Sequence, residues 1–504
     1  MLSVKQLFIK DRISGLVLID NLSFSLQIGD KIAIIGSEGS GKSTLLKYLY
    51  NDDLDYVDTS GQVIRPHHIA YIEQNINTKW HAHSVEEYLS GNLGFSFYDY
   101  LPSAISNLMK FGLLYDEIAD RKIETFSGGE RMKIGLAKAL MGEPDCLLLD
   151  EPSNDLDFEM IRFLEVFLTT TKVPTIFISH DQRLLENVCN GVIHLQQVYK
   201  KTKAKTFFLR IGYNEYKEKF IRKFESDLMM ARKQRADYKK KLEKFRQIYQ
   251  SVEHQQNQVV RDPVAGRLLK KRMHVLKSQE SRYEKEKENF TEIPEREEPM
   301  NIFFDKETKI NPQKNMLDLS MGSFVLRNGR VIENINLHIR GKDRVVIYGR
   351  NGVGKTNLIR YIQEMLLSNA IKVGYISQDY LEVLDENMSV VKFMMEKQDK
   401  YEEHKIRQIL GTLGFKTEEM DYKISEISEG MKLKTLLLLM VSGNHEILLL
   451  DEPTRNISPI NQDEIYELFS GFSGAIVAVT HDRKFIEAVF EDIYELTEEG
   501  LFKR

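Results

Sequence analysis

The feature that most restricts what this chain can fold into is that it repeats itself. Residues 29–44, "GDKIAIIGSEGSGKST", are answered by 341–356, "GKDRVVIYGRNGVGKT". The parallel continues with "IAYIEQN" and "KVGYISQD", "FSGGERMK" and "ISEGMKLK", "LLLDEPS" and "LLLDEPT", "IFISHDQ" and "VAVTHDR". Five landmarks in one order at similar spacing exclude chance, so the chain carries two copies of one unit. Short apolar runs alternate with helical patterns in each copy, which predicts α/β domains. The expected domains are 1–200 and 301–504, with a linker at 201–300.

The linker reads differently. From Tyr213 to Asp262 there is no glycine and no proline. Tyr216, Phe220, Phe224 and Leu228 recur at helical spacing, followed by Tyr238, Leu242, Phe245, Ile248 and Val252. That periodicity predicts one long helix with a narrow apolar stripe. Asp262 and Pro263 then supply an N-cap and a first helical residue. The second helix has Leu269, Met273, Leu276 and Tyr283 on one face. Together they predict an antiparallel hairpin with its tip near 254–262. Residues 211–290 hold 21 Lys/Arg against 12 Asp/Glu in a chain of formal net charge −5. A basic helix surface is ordinarily just solvated. Here the runs "KKKLEK" and "LLKKRM" flank a tip between two phosphate-binding units, which favours a nucleic-acid partner read through its phosphates.

The rest of the composition excludes other classes. Of 504 residues only Cys146 and Cys189 are cysteines, which gives neither a disulfide framework nor a metal cluster and fits a reducing cytosol. Cys146, in "CLLLD", reads as a small buried hydrophobe. No apolar stretch reaches the roughly 18–20 residues of a membrane span, and the first residues lack the apolar core of a signal peptide. The expectation is a cytoplasmic protein with no membrane partner.

The landmarks carry nucleotide chemistry. Gly36, Ser37, Glu38, Gly39, Ser40, Gly41, Lys42, Ser43 and Thr44 match G-x-x-x-x-G-K-[ST] after a strand-like run; so do Gly349, Arg350, Asn351, Gly352, Val353, Gly354, Lys355, Thr356 and Asn357. Glycines let backbone N–H groups close round phosphates at a helix start. Lys42 and Lys355 would reach the β- and γ-phosphates of ATP, and Ser43 and Thr356 would ligate Mg²⁺. Asp150 and Asp451, ending buried strands, would hold the metal. Glu151 and Glu452 beside them would orient or deprotonate the attacking water. His180 and His481 are candidate γ-phosphate contacts, and Gln74 and Gln378 candidates for sensing Mg²⁺ and water. "SGGE", Ser127, Gly128, Gly129 and Glu130, opens another helix and offers a second phosphate contact. Ser428 and Gly430 are its counterparts.

Walker A, Q-loop, signature, Walker B and switch histidine in this order resemble an ATP-binding cassette domain. Two cassettes without a membrane segment, joined by a charged helical linker, resemble the ABC-F family of ribosome-associated ATPases across nearly the whole chain. "RIGYNEYKEKF" resembles that family's entry into the linker. The resemblance implies a monomer with an intramolecular head-to-tail sandwich, one ATP between Lys42 and Ser428, the other between Lys355 and Ser127. "DEPTRNISPI" resembles the branch that protects ribosomes from antibiotics (Vga/Lsa-like). Gln74 to Ser127 spans 53 positions and Gln378 to Ser428 spans 50, leaving no room for the additional arm of several housekeeping members, and little follows His481. The resemblance implies a bacterial 70S ribosome as partner, with a linker that enters the 50S subunit from the tRNA exit site and displaces P-site tRNA. Lys239, Lys240, Lys241, Lys244, Arg246, Arg267, Lys270, Lys271 and Arg272 would contact rRNA and tRNA. His254, Gln255, Gln256, Asn257, Gln258, Val259, Val260 and Arg261 at the tip would lie nearest the drugs, with lincosamides, streptogramin A and pleuromutilins the expected classes.

Departures from the family pattern matter. The second signature reads "SEGM", with Glu429 in place of glycine and Met431 in place of Glu/Gln. A carboxylate near a γ-phosphate is unfavourable unless it turns away or pairs with a cation. After the second "DEP", "RNISP" replaces "NDLD", so Asp155 has no acidic equivalent. The two ATP sites are therefore expected to be unequal. Phe324 is the candidate in the second copy for stacking on adenine. Alternative readings are a housekeeping ABC-F translation factor, the soluble ATPase of a transporter, and a DNA-associated repair ATPase.

Overall fold

A computed structural model of the chain describes residues 1–51, 53–73, 76–91, 97–154, 156–198, 203–258, 263–294, 302–304, 310–326, 329–398, 402–455 and 457–504, with backbone alone at 256–258, 263–266 and 288. Gln74, Asp155, Val259, Val260, Arg261 and Asp262, and the side chains of Gln256, Asn257 and Gln258, lie outside that description. The chain divides into two compact units: Met1–Tyr213 with Glu297–Arg504, and Asn214–Arg296. Both copies therefore fall in one unit, and the linker forms the other.

Each copy is built on a six-stranded sheet of identical order. In the first the strands run Ile69–Ile72, Cys146–Leu149, Thr175–Ile178, Lys31–Ile35, Gly191–Val198 and Lys203–Leu209. In the second they run Val373–Ile376, Ile447–Asp451, Ala475–Val479, Arg344–Tyr348, Asp492–Thr497 and Gly500–Lys503. All neighbours are parallel except the last pair of each sheet. The strand Lys203–Leu209 pairs with Gly191–Val198, so the first sheet continues past the boundary at 200 read from sequence. The central strands are apolar without alternation because helices cover one face and other strands the other. Antiparallel pairs supply part of that cover: Ser3–Asp11 between Val17–Ser25 and Val57–Ile64, and Asn315–Val325 with Val331–Arg340. Leu148, Ile176, Ile34 and Ile193 pack with Leu7, Ile9 and Leu45 in the first copy; Leu449, Val477 and Ile347 pack with Leu319, Leu337 and Leu358 in the second. Phe324 belongs to that second core: it is 9% exposed with its ring 5.3 Å from Tyr361, so it does not serve as an adenine platform. Alternation along its strand turns it inward. Cys146 and Cys189 are buried free thiols, pushed up to about 12 by burial.

The parallel order has one consequence for function. The carboxyl ends of the strands that precede both P-loops, both acidic pairs and both histidines lie along one edge of their sheets, where open α/β sheets bind ligands.

The second unit is a helical hairpin. Tyr213–Gln258 is one helix of 46 residues, about 69 Å long at ~1.5 Å per residue, and Pro263–Glu288 returns beside it. Phe245, Val252, Leu269 and Leu276 form its core, with Tyr249, Met273 and Tyr283 against them. Lys241 Nζ lies 2.5 Å from Glu286 Oε1, and Thr291 donates its backbone N–H to Gln234 at 2.8 Å, which fixes the antiparallel register. Ile248, expected on the stripe, is 53% exposed, because Phe245, Tyr249 and Val252 define the buried face. Lys239, Lys240, Lys244, Arg246, His254, Gln255, Arg267, Lys270, Lys271 and Arg272 are exposed; Lys241 is too, but its charge is engaged by Glu286.

Truncating Leu276 to Ala removes one side of this small core. The expected loss is about 2–4 kcal/mol of local stability, read as faster amide exchange along both hairpin helices of the intact chain. Unchanged protection would contradict the packing.

Candidate active site

Each P-loop is shaped by glycines that admit no substitute. Gly41 and Gly354 take left-handed conformations, with φ 95° and 112°, and cap the helices Lys42–Tyr50 and Lys355–Ser368. A Cβ on Gly36 would sit 2.3 Å from the Leu195 carbonyl oxygen, and one on Gly349 2.3 Å from that of Leu496. Lys42 Nζ donates to the carbonyls of Gly36 and Ser37, each at 3.0 Å. Lys355 Nζ donates to Gly349 O at 2.7 Å, Arg350 O at 3.2 Å and Asn351 Oδ1 at 3.4 Å. Both amines are thus folded over the loops. Val353 is core, and the Arg350 guanidinium points out to Glu159 at 3.4 Å.

The acidic strand ends meet the P-loop hydroxyls. Ser43 Oγ donates to Asp150 Oδ1 at 3.0 Å and Tyr71 to Asp150 Oδ2 at 3.1 Å. Thr356 bonds Asp451 in the same way. Burial raises both aspartates above the usual carboxylate range, against these hydrogen bonds. The next residues, Glu151 and Glu452, have φ 49° and 50°. A left-handed glutamate is strained by of order 1–3 kcal/mol and marks a functional position. Pro152 and Pro453 help, since proline disfavours the right-handed helical state in the residue before it.

Beyond this point the copies part. Burial tends to raise the Glu151 carboxyl, but His180, Lys42 and Asn154 outweigh it and hold it down at about 2. His180 Nε2 is 3.5 Å from Glu151 Oε1, and its Nδ1 is 2.9 Å from the Ile457 carbonyl of the other copy. Glu452 goes the other way. Burial and the neighbouring Asp451 raise its pKa, against Lys355 and the donors of His481 and Thr480. Thr480 Oγ1 reaches it at 3.1 Å, while the His481 ring stands 3.9 Å off. Burial and the Lys355 charge push His481 down to about 3, so it is neutral, and Phe158 of the first copy packs on its ring at 5.4 Å.

The signature segments start helices at Gly128–Leu140 and Glu429–Ser442, capped by Ser127 and Ser428. Glu130 turns back to accept from the Ser127 backbone N–H at 2.8 Å and hydroxyl at 2.9 Å, so its carboxylate serves the cap. Glu429, the expected repulsive carboxylate, pairs with Lys432 at 2.6 Å. Gly430 donates its N–H to Glu38 of the first P-loop at 3.1 Å. A cavity of about 650 Å³ gathers Lys355, Thr356, Asn357, Gln378, Asp451, Glu452 and His481 with Gly128, Arg131 and Asn154 of the first copy.

Asp451 Oδ2 and both ring nitrogens of His481 are enclosed without a hydrogen-bond partner. Buried polar atoms are seldom left so. A divalent cation on Asp451 and a phosphate facing Lys355 and His481 would satisfy them, so the residues present fit a metal–nucleotide. Comparison with known proteins points the same way. The family profile described as ABC transporter matches residues 19–154 and 332–455. The chain belongs to the ABC transporter family, in its ATP-binding domain. It is 27% identical to the ribosome protection protein VmlR of Bacillus subtilis over 96% of this chain and 85% of that one. It is 24% identical to ABC transporter F family member 5 of Arabidopsis thaliana, over 97% and 74%. An archaeal ribosome recycling factor, aABCE1, solved with the stalk protein aP1, shares the fold at TM-score 0.57 and 15% identity, over 99% and 90%. The fold is thus two tandem ATP-binding cassettes. No helix among the described residues is long and apolar enough to cross a membrane.

Several residues at these sites escaped sequence reading. Tyr71 and Thr480 had a usable signal, a tyrosine and a hydroxyl repeated in both cassettes. Arg131, Asn154 and Phe158 had none, because their proximity depends on how the cassettes pack.

Gly349→Ala would drive a methyl into the Leu496 carbonyl. Equilibrium dialysis should find nucleotide binding lost at the second P-loop and kept at the first.

Proposed function

We propose that this chain is an ABC-F-type ATPase that works on the ribosome and protects it from drugs of the peptidyl-transferase centre. The observation that carries the ATPase reading is the shared cavity, where Lys355, Asp451, Glu452 and His481 meet Gly128 and Arg131 of the other cassette. When bound, ATP with Mg²⁺ supplies the phosphoanhydride whose hydrolysis drives the cycle. Lys42 and Lys355 hold the phosphates, Ser43 with Asp150 and Thr356 with Asp451 hold the cation, and Gln378 lies at the cavity beside them. Glu151 and Glu452 accept the proton of the attacking water, and the left-handed backbone at each aims the carboxylate. His180 and His481 face the terminal phosphate and report it to the opposite cassette.

The ribosomal half of the reading rests on the hairpin and the relatives. A long rigid helix pair with exposed Lys239, Lys240, Lys244, Arg246, Lys270, Lys271 and Arg272 suits phosphate-rich rRNA and tRNA. Relatives aligned over nearly the whole chain include one named for ribosome protection. The hairpin, with His254 and Gln255 towards its tip, enters the 50S subunit of the bacterial 70S ribosome from the tRNA exit site. There it displaces P-site tRNA and dislodges lincosamides, streptogramin A and pleuromutilins; hydrolysis releases the protein.

Glu151→Gln with Glu452→Gln should abolish turnover and hold the protein on pelleted 70S ribosomes in ATP. Failure to pellet with ribosomes would end the proposal. In a sensitive host, the unmodified chain should raise resistance to those three classes in a panel that includes a macrolide and a phenicol. Ribosome retention with unchanged susceptibility would assign a housekeeping factor instead.

A further inference from the structure

We propose that Glu38 is a built-in competitor of the terminal phosphate, which makes the first ATP site selectively slow to accept a triphosphate. The inference rests on the ATPase reading above and concerns what distinguishes its two sites. Helix starts leave backbone N–H groups unpaired and attract anions. At the helix Glu429–Ser442 that donor is Gly430, and an anion already sits on it: the Glu38 carboxylate, 3.1 Å away and contributed by the opposite P-loop. Glu429 does not contest the place, because Lys432 holds it at 2.6 Å.

The second site lacks this device. Asn351 takes the position of Glu38 in the repeated loop, and its Oδ1 turns back to accept from Lys355 at 3.4 Å. Gly128 of the facing signature lines an open cavity with that loop. A terminal phosphate entering there meets an asparagine in place of the P-loop carboxylate. At the first site it must displace a carboxylate that is covalently part of the loop and therefore never leaves the neighbourhood. A nucleoside diphosphate has no γ-phosphate to place on Gly430, so Glu38 acts on triphosphate binding and spares diphosphate binding. The first site then fills after the second, and Glu38 is a specificity-determining residue.

The test uses the full chain with Lys355→Ala, so that binding of fluorescent nucleotide reports the first site. Glu38→Asn should tighten a non-hydrolysable ATP analogue about tenfold, the scale of one charge-assisted hydrogen bond, and move the matching ADP analogue by less than about twofold. Glu38→Gln, which keeps an acceptor of the same length, should fall between. In the reciprocal background, Lys42→Ala, Asn351→Glu should weaken the ATP analogue at the second site. Equal shifts for both nucleotides, or none in either background, would overturn the inference and leave the ATPase reading standing. No binding of either nucleotide to the unmodified chain would remove that reading and this one together.

Discussion

Two buried side-chain amides hold the cassettes in register. Gln182 donates to the Pro459 carbonyl at 2.6 Å, and Gln462 donates to the His180 carbonyl at 2.9 Å. An amide taken out of water without a partner costs several kcal/mol, so burying these two at the interface is offset only by the carbonyls each finds across it. Arg483 adds a charged link to Glu165 at 2.6 Å. Neither active site exists in one copy alone, and this crossing lattice is what completes them. The segments after the two "DEP" motifs also differ in what they hold. Ile457 and Pro459 offer their carbonyls to His180 and Gln182, whereas in the first copy Asp157 caps the helix Phe158–Thr170 by accepting from Met160 at 3.1 Å.

The inequality of the sites is one of hydrogen bonding more than of residue type. Both have a glutamate, a histidine, a lysine and an aspartate in the same order. In the first, His180 links Glu151 to the opposite cassette and keeps the carboxylate ionised. In the second, His481 is neutral and unpartnered, and Glu452 is driven towards its protonated form by burial beside Asp451. The second site is the more dependent on its ligand, since without one its enclosed polar atoms have nothing to pair with.

How far all this could be read from sequence follows from what kind of signal each part leaves. The sheets, P-loops and acidic strand ends were legible because two copies repeat them at matched spacing, and the hairpin because a helix period runs for dozens of residues without glycine or proline. The left-handed glutamates were not, although the prolines after them were a hint: backbone strain is imposed by tertiary surroundings. Ile248 shows a subtler limit. Periodicity says that a face exists, but a phase error of one position along a strand or helix exchanges inside for outside. Glu38 looked like one more P-loop residue, because its partner Gly430 is 392 positions away and only packing of the copies unites them.

The state of the two thiols has a practical side. Cys146 and Cys189 are enclosed and hold their protons well above neutral pH, and only the thiolate attacks maleimides and disulfide reagents. The native chain is thus already silent to such dyes, and a single cysteine placed on an exposed hairpin position such as Lys240 would carry the sole label. The surroundings of that one fluorophore could then be followed through a turnover cycle without first stripping the protein of its own sulfur.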